Sequence, residues 1–274
     1  MKKEFKVAIF DLDGTLTNSK KELSPRNREA LISLQEQGVK VVLASGRPTY
    51  GIIPIADEIN LSHYGGYILS FNGGVILDYA ANEVIYSQQL GEDLIAPLYQ
   101  ASVEEGCVIL SYRGREILTE DTENQYVKFE AMLNKMPTRR VESFVEEFAC
   151  KVPKCLAVGD PERSIALEKR LVAKFGTVMN IYRSEPFFVE LVPLGIDKAQ
   201  SLARLAQHLA VTSEDMIAFG DGFNDLSMIE FAGHGVAMAN AQEVVRQRAN
   251  ATTLTNDEDG VAHYLESNIL HKKC

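Results

Sequence analysis

Phe5-Lys6-Val7-Ala8-Ile9-Phe10-Asp11-Leu12-Asp13-Gly14-Thr15 is the stretch on which the fold of this chain turns. Its first half is an almost unbroken apolar run, the pattern of a strand buried on both faces. The run stops at Asp11 and Asp13, two carboxylates two positions apart. Gly14 permits a sharp turn there, and Thr15 brings a hydroxyl donor. A carboxylate at the end of a buried strand can attack an electrophile and hold a divalent cation. A second one beside it can pass a proton to a leaving group. Metal-assisted phosphoryl transfer through an aspartyl-phosphate needs these parts. A surface turn uses the same residue types, so the rest of the chain has to decide.

Outward from this stretch, Ser24-Pro25 reads as the N-cap and first turn of a helix with Ala30, Leu31 and Leu34 on its apolar face and Gly38 at its end. Val39 to Ala44 is again a continuous apolar strand. Strand, helix, strand with short connections is a βαβ unit and implies a parallel sheet with helices on both faces. Tyr67 to Ser70 and Val75 to Leu77 read as a hairpin turned at Asn72-Gly73-Gly74. From about Glu83 the pattern changes to helix-strand-strand and then strand-helix-strand-strand. Antiparallel pairs with helices on one side suggest an inserted α+β domain. Alternating strands and helices return after Leu194: helix from Lys198, strand from Met216, helix from Asn224, strand from Gly235, then closing helices. The expected division is a core of residues 1–82 and 191–274 around an insert of residues 83–190, with hinges near Asn82 and Pro193.

Composition bounds the partners. The chain has 274 residues, 46% of them hydrophobic, enough for a packed core. A formal net charge of −10 disfavours nucleic acid and anionic membrane. It leaves a small phosphorylated molecule open, because a bound cation and one lysine reverse the sign locally. Cys107, Cys150, Cys155 and Cys274 have no C-x-x-C spacing, which reads as free thiols in a reducing compartment. No apolar stretch reaches membrane-spanning length, and a cytoplasmic location is the expectation. The terminal His271-Lys272-Lys273-Cys274 does not fit a prenylation box.

Asp11 and Asp13 have companions. Ser45-Gly46-Arg47 ends the second strand, Lys198 opens the helix after the insert, and Gly220-Asp221-Gly222-Phe223-Asn224-Asp225 ends a later strand. All fall at expected strand C-termini or helix N-termini, the edge of an open α/β sheet where ligands bind. In this chemistry Asp11 is the nucleophile and a metal ligand, and Asp13 the general acid and then general base. Magnesium suits the oxygen-rich set of the Asp11 carboxylate, the Asp13 carbonyl and Asp221. Ser45 reaches the phosphoryl group, Asn224 contacts phosphate or metal water, Lys198 neutralises the phosphoryl charge, and Asp225 supports the metal from its second shell. Gly46, Arg47 and Asn72 lie close enough in this layout to contact substrate, though Arg47 could equally support the core by a salt bridge.

In these motifs the chain resembles the haloacid dehalogenase-like superfamily, and more narrowly its Cof-type branch of sugar-phosphate phosphatases. The superfamily motifs match at Asp11-x-Asp13-Gly14-Thr15, Ser45, Lys198 and Gly220-Asp221-x-x-Asn224-Asp225. Branch-like signals are Ser45-Gly46-Arg47, Asn72-Gly73-Gly74, Glu190-Leu191-x-Pro193-x-Gly195-x-x-Lys198, Gly235 to Ala241 and Asn256-x-x-Asp259-Gly260-Val261-Ala262. Ala199 and Ala239 stand where this branch more often has glycine. The resemblance implies a Rossmann-like parallel-sheet core with an α/β cap inserted, and magnesium-dependent hydrolysis of small phosphorylated metabolites. Substrate choice would then sit in the cap, among polar residues such as Arg113, Arg115, Glu120, Asn124, Arg183 and Glu185. A phosphomutase or a narrow biosynthetic phosphatase would share the four motifs. A phospho-accepting regulatory domain shares Asp, Ser, Lys and magnesium, but lacks a carboxylate placed like Asp13 and lacks a large insert.

Overall fold

Val7–Phe10 forms β1, and all of its side chains are buried. It pairs in parallel on both sides, with Lys40–Ala44 (β2) and, from much later in the chain, with Met216–Gly220. The Phe10 and Phe219 rings stack across that second pairing at 5.0 Å. Double-sided burial is why this segment is uniformly apolar and not alternating. The computed structural model describes residues 4–270, so Cys274 and the terminal His271-Lys272-Lys273 lie outside the described residues.

Between β1 and β2 runs Pro25–Glu36 (α1), capped as expected: the Ser24 hydroxyl accepts from the Asn27 N–H at 3.0 Å. Gly38 takes the left-handed conformation (φ 87°) that ends it. Thr49–Glu58 (α2) and Leu61–Tyr64 (α3) then lead to Tyr67–Ser70 (β3) and Val75–Asp78 (β4), an antiparallel hairpin. Gly51 and Pro54 interrupt the helical pattern of α2 in the sequence. Burial of Ile52, Ile55 and Ala56 in the core outweighs the missing proline N–H. Glu83–Ser87 (β5) completes this edge.

The chain then enters its second unit, Ser87–Ile196, which holds a six-stranded sheet. Its strands are Val108–Arg113 (β6), Glu116–Thr119 (β7), Thr138–Arg140 (β8), Cys155–Val158 (β9), Met179–Glu185 (β10) and Phe188–Pro193 (β11). The order is β10-β11-β9-β6-β7-β8, antiparallel except between β7 and β8. Its helices are Glu92–Glu104 (α4), Gln125–Asn134 (α5), Phe144–Glu147 (α6) and Pro161–Phe175 (α7). Ile109, Cys155, Ala157, Val189 and Leu191 pack on Ile95 and Leu98 of α4 and Leu167 and Leu171 of α7. One expectation changes here: the helices are not all on one side. Tyr112 points from the other face of β6 and donates to Glu130 of α5 at 2.6 Å. That face carries buried polar groups, so its apolar signal is weak.

From Asp197 the first unit resumes with Lys198–Leu209 (α8), then β12 (Met216–Gly220), Leu226–Phe231 (α9), His234–Ala237 (β13), Glu243–Arg248 (α10), Ala251–Thr252 (β14) and Gly260–Asn268 (α11). The finished sheet has eight strands in the order β14-β13-β12-β1-β2-β3-β4-β5. Chain order runs outward in both directions from β1, which makes the C-terminal end of β1 the switch point of the sheet. The unit boundaries fall at Tyr86/Ser87 and Ile196/Asp197, four and six residues beyond the expected ones at 82/83 and 190/191. The expected hinge positions lie inside the units: Asn82 between β4 and β5, and Pro193 at the end of β11, paired with Met179. No helix among the described residues is long and apolar enough to cross a membrane.

Candidate active site

Asp11 leaves the end of β1 with its N–H on the Phe219 carbonyl at 3.0 Å, and its side chain is 5% exposed. Lys198, the first residue of α8, is fully buried beside it. The Lys198 ammonium donates to Asp11 Oδ1 at 2.6 Å, Asp225 Oδ1 at 2.6 Å and the Ala44 carbonyl at 2.9 Å. The ends of β1 and β2 and the turn between β12 and α9 therefore meet at one lysine. Burial works against its charge, but Asp11 and Asp225 outweigh that and hold the ammonium charged beyond its usual range.

Asp225 shapes the loop after β12. Its Oδ2 accepts from the backbone N–H of Asp221 at 3.0 Å and of Gly222 at 2.9 Å. Asp221 in turn accepts from the Thr15 hydroxyl at 2.7 Å. Gly14 sits against that carboxylate at φ 90°, and a Cβ there would collide with it, so only glycine fits. Ser45 is 2% exposed, and its hydroxyl accepts from the Arg47 N–H at 3.1 Å. Asn72, itself left-handed (φ 56°), accepts from the Asn224 side chain at 3.1 Å and receives the side of Gly46.

Carboxylate oxygens of Asp11, Asp221 and Asp225 lie within 4.8 Å of one another. Burial, then the Asp225 charge, pushes the Asp11 carboxyl well above its ordinary value against the pull of Lys198. Burial likewise raises Asp221 to about 6, with Asp225 adding to the rise while the Thr15 hydrogen bond and Lys198 oppose it. Negative charge is in excess here, and the donors are all oxygen. A hard divalent cation fits such a set. Asp225 is the poorest ligand of the three, since both its oxygens are already engaged by Lys198 and two backbone N–H groups.

Asp13 behaves differently. Arg47 grips its carboxylate with two hydrogen bonds, Nε to Oδ2 at 2.7 Å and Nη2 to Oδ1 at 2.6 Å. Lys21, in the left-handed region at φ 62°, adds an ion pair at 2.9 Å. Burial would raise this carboxyl, but Arg47 and then Lys21 outweigh it and hold it below the ordinary carboxylate value. Arg47 thus spends its guanidinium on Asp13 and, at 3.3 Å, on the Gly51 carbonyl.

The whole arrangement corresponds to a known family. The model for haloacid dehalogenase-like hydrolases matches residues 8–265. This chain belongs to the haloacid dehalogenase-like hydrolases. A structure of such a hydrolase from Bacteroides thetaiotaomicron is 51% identical, with a TM-score of 0.95 over 96% of this chain and 99% of that one. A HAD subclass IIB sugar phosphatase superposes with a TM-score of 0.79 at 26% identity, covering 96% of this chain and 98% of its own. YxeH of Bacillus subtilis, provisionally named a phosphatase, is 32% identical over 98% of this chain and 100% of its own length. The hydrolase is a phosphatase by the company of its relatives, and its Cof-type membership stands with them.

Within this hydrolase, Asp11, Asp13, Ser45, Gly46, Arg47, Asn72, Lys198, Asp221, Asn224 and Asp225 all belong to the unit built on the eight-stranded sheet. Several polar residues of the second unit prove to be tied up locally. Arg113 pairs with Glu147, Arg183 with Glu168 at 2.7 Å, Glu120 accepts from Tyr99 and Phe144, and Asn124 caps α5. Lys21 was not singled out from the sequence. Nothing in Ser19-Lys20-Lys21-Glu22 distinguishes the lysine that turns inward from the one beside it.

Proposed function

We propose that the protein is a magnesium-dependent phosphatase that hydrolyses small phosphorylated metabolites, sugar phosphates above all, through an aspartyl-phosphate on Asp11. The observation that carries this reading is the buried Lys198 ammonium, 2.6 Å from both Asp11 and Asp225 at the switch point of the sheet. Asp11, the Asp13 carbonyl and Asp221 would hold the cation, with Asp225 behind them. Magnesium bound there would neutralise negative charge on the Asp11 carboxylate and the phosphoryl group. Relief of the crowding that raises Asp11 keeps it ionised for attack on phosphorus. Arg47 and Lys21 hold Asp13 ionised in the free protein. The anionic phosphate arriving beside it would raise its carboxyl, so that it can carry a proton to the departing alkoxide and later take one from the attacking water. Ser45, Gly46, Asn72 and Asn224 line the phosphoryl position, and Lys198 offsets its charge. Arg47 is assigned to substrate contact as well as to the Asp13 carboxyl that it holds.

The unit Ser87–Ile196 is assigned to choice of the organic group, since the core deals only with the phosphoryl group. A cytoplasmic location belongs to the same reading, supported by the unpaired, buried Cys107 and Cys155. The test is phosphate release from a panel of esters with and without magnesium, wild type against Asp11→Asn. Magnesium-dependent release that disappears in the variant supports the reading. A protein that is labelled by acetyl phosphate but releases nothing is a phospho-accepting regulator instead. Transfer between two positions of one sugar marks a mutase.

A further inference from the structure

Three asparagines grip the chain just after Asp13. The Asn240 side-chain amide donates to the Gly14 carbonyl at 2.8 Å, Asn27 to the Leu16 carbonyl at 3.1 Å and Asn256 to the Thr17 carbonyl at 3.0 Å. They come from separate places: Asn27 from α1, Asn240 from the loop after β13, Asn256 from the loop after β14. Two of them use the amide oxygen as well. Asn240 accepts from the Asn256 N–H at 3.0 Å, and Asn27 from the Ala262 N–H at 2.9 Å. A group that donates to a carbonyl and accepts from an N–H has its orientation fixed by its partners. Asn27 and Asn256 are 1% and 9% exposed, where an amide is costly unless both ends are satisfied.

On the inner side the same segment is held by Asp11 and Leu12: Leu16 N–H reaches the Asp11 carbonyl at 3.2 Å, and Thr17 bonds the Leu12 carbonyl through its N–H and its hydroxyl, both at 2.9 Å. Residues 14–17 are therefore clamped from both sides. We infer that Asn27, Asn240 and Asn256 are positioning residues that set where Asp13 sits relative to Asp11. This also gives a role to two C-terminal motifs, Ala239-Asn240-Ala241 and Asn256-x-x-Asp259-Gly260, that no reacting group explains.

The inference rests on the reading of Asp13 as the acid that protonates the leaving oxygen. A misplaced acid harms esters with poor leaving groups and spares those whose leaving group departs unaided. The experiment uses the full chain with magnesium and compares glucose 6-phosphate, an alkyl ester, with p-nitrophenyl phosphate. Asn240 is exposed, so Asn240→Ala should spare the fold. Its kcat on the alkyl ester should fall at least ~10-fold with KM within about 2-fold, and its kcat on the aryl ester by less than about 3-fold. Asn240→Asp keeps the acceptor for Asn256 but loses the donor to Gly14, and should behave like Ala. In both variants the Leu16 and Thr17 amides should exchange hydrogen faster in the absence of metal. Equal losses on both esters, or no loss, or unchanged exchange, with an active wild type, would overturn the clamp. A wild type inactive on every ester would instead overturn the phosphatase reading, and Asp13's role with it, while exchange still reports on the hydrogen bonds themselves.

Discussion

Lys198 shows how much a single residue can be asked to do. It is a fully buried cation bonded to two carboxylates and one carbonyl, so removing it strands two charges. Lys198→Met should cost about 3–5 kcal/mol of stability, read as a shift of the urea midpoint, as well as all turnover. Asp11→Asn should do the opposite to the fold. It removes one of three crowded carboxylates while Asp225 still pairs with Lys198, so Tm should hold or rise. Turnover should fall by at least ~10⁴-fold because the proposed nucleophile is gone. Asp13→Asn should still form phosphoenzyme from acetyl phosphate, and trapping with acid should find it persisting longer than in wild type. At this scale the residue types at the site were legible, because carboxylates after a buried strand are chemically unusual. Their partners were not. Arg47 and Asp13 are thirty-four positions apart, and their double hydrogen bond exists only once β1 and β2 lie side by side.

Elements divide along a similar line. α1, β1, β3, α7 and α8 were readable because burial, capping and punctuation agree locally. α2 was hidden by Gly51 and Pro54, and the short edge strand β8 by its polar sequence Thr138-Arg139-Arg140. The placement of α5 depended on buried polar groups. Glu130 of α5 accepts from Tyr112 and from Asn134 at 2.8 Å, while Lys154 and Glu190 pair nearby at 2.6 Å. Burial raises the Glu130 carboxyl, with Lys154 and the Tyr112 hydrogen bond opposing and Glu190 adding to the rise. A raised folded value means that stability is fully present below the unfolded value near 4.5 and is lost as pH rises through the folded one. Glu130→Gln has no such loss. Its Tm relative to wild type should therefore move upward between pH 4.5 and pH 7.5, and a flat difference across those two pH values would refute the buried charge.

At the scale of the whole molecule, the described residues form two sheets and two hydrophobic cores, one around β1 and one around β9. Thermal unfolding should accordingly depart from a single two-state transition. Leu98→Ala, in the core of the second unit, should destabilise that unit by about 2–5 kcal/mol and leave hydrogen exchange in β1 and β12 unchanged. The sequence by itself determined a parallel α/β core, an inserted α+β unit and the family, and it picked out the carboxylates and the lysine of the candidate site, since periodicity and motif spacing are local properties of the chain. Only the tertiary structure decided that Arg47 serves Asp13, that β5 belongs to the first unit, and that Asn27, Asn240 and Asn256 converge on residues 14–17. Hydrogen bonds between groups more than two hundred positions apart, such as that from Asn240 to Gly14, leave no periodic trace in either partner's neighbourhood. They are set by which strand ends the sheet order brings together at β1.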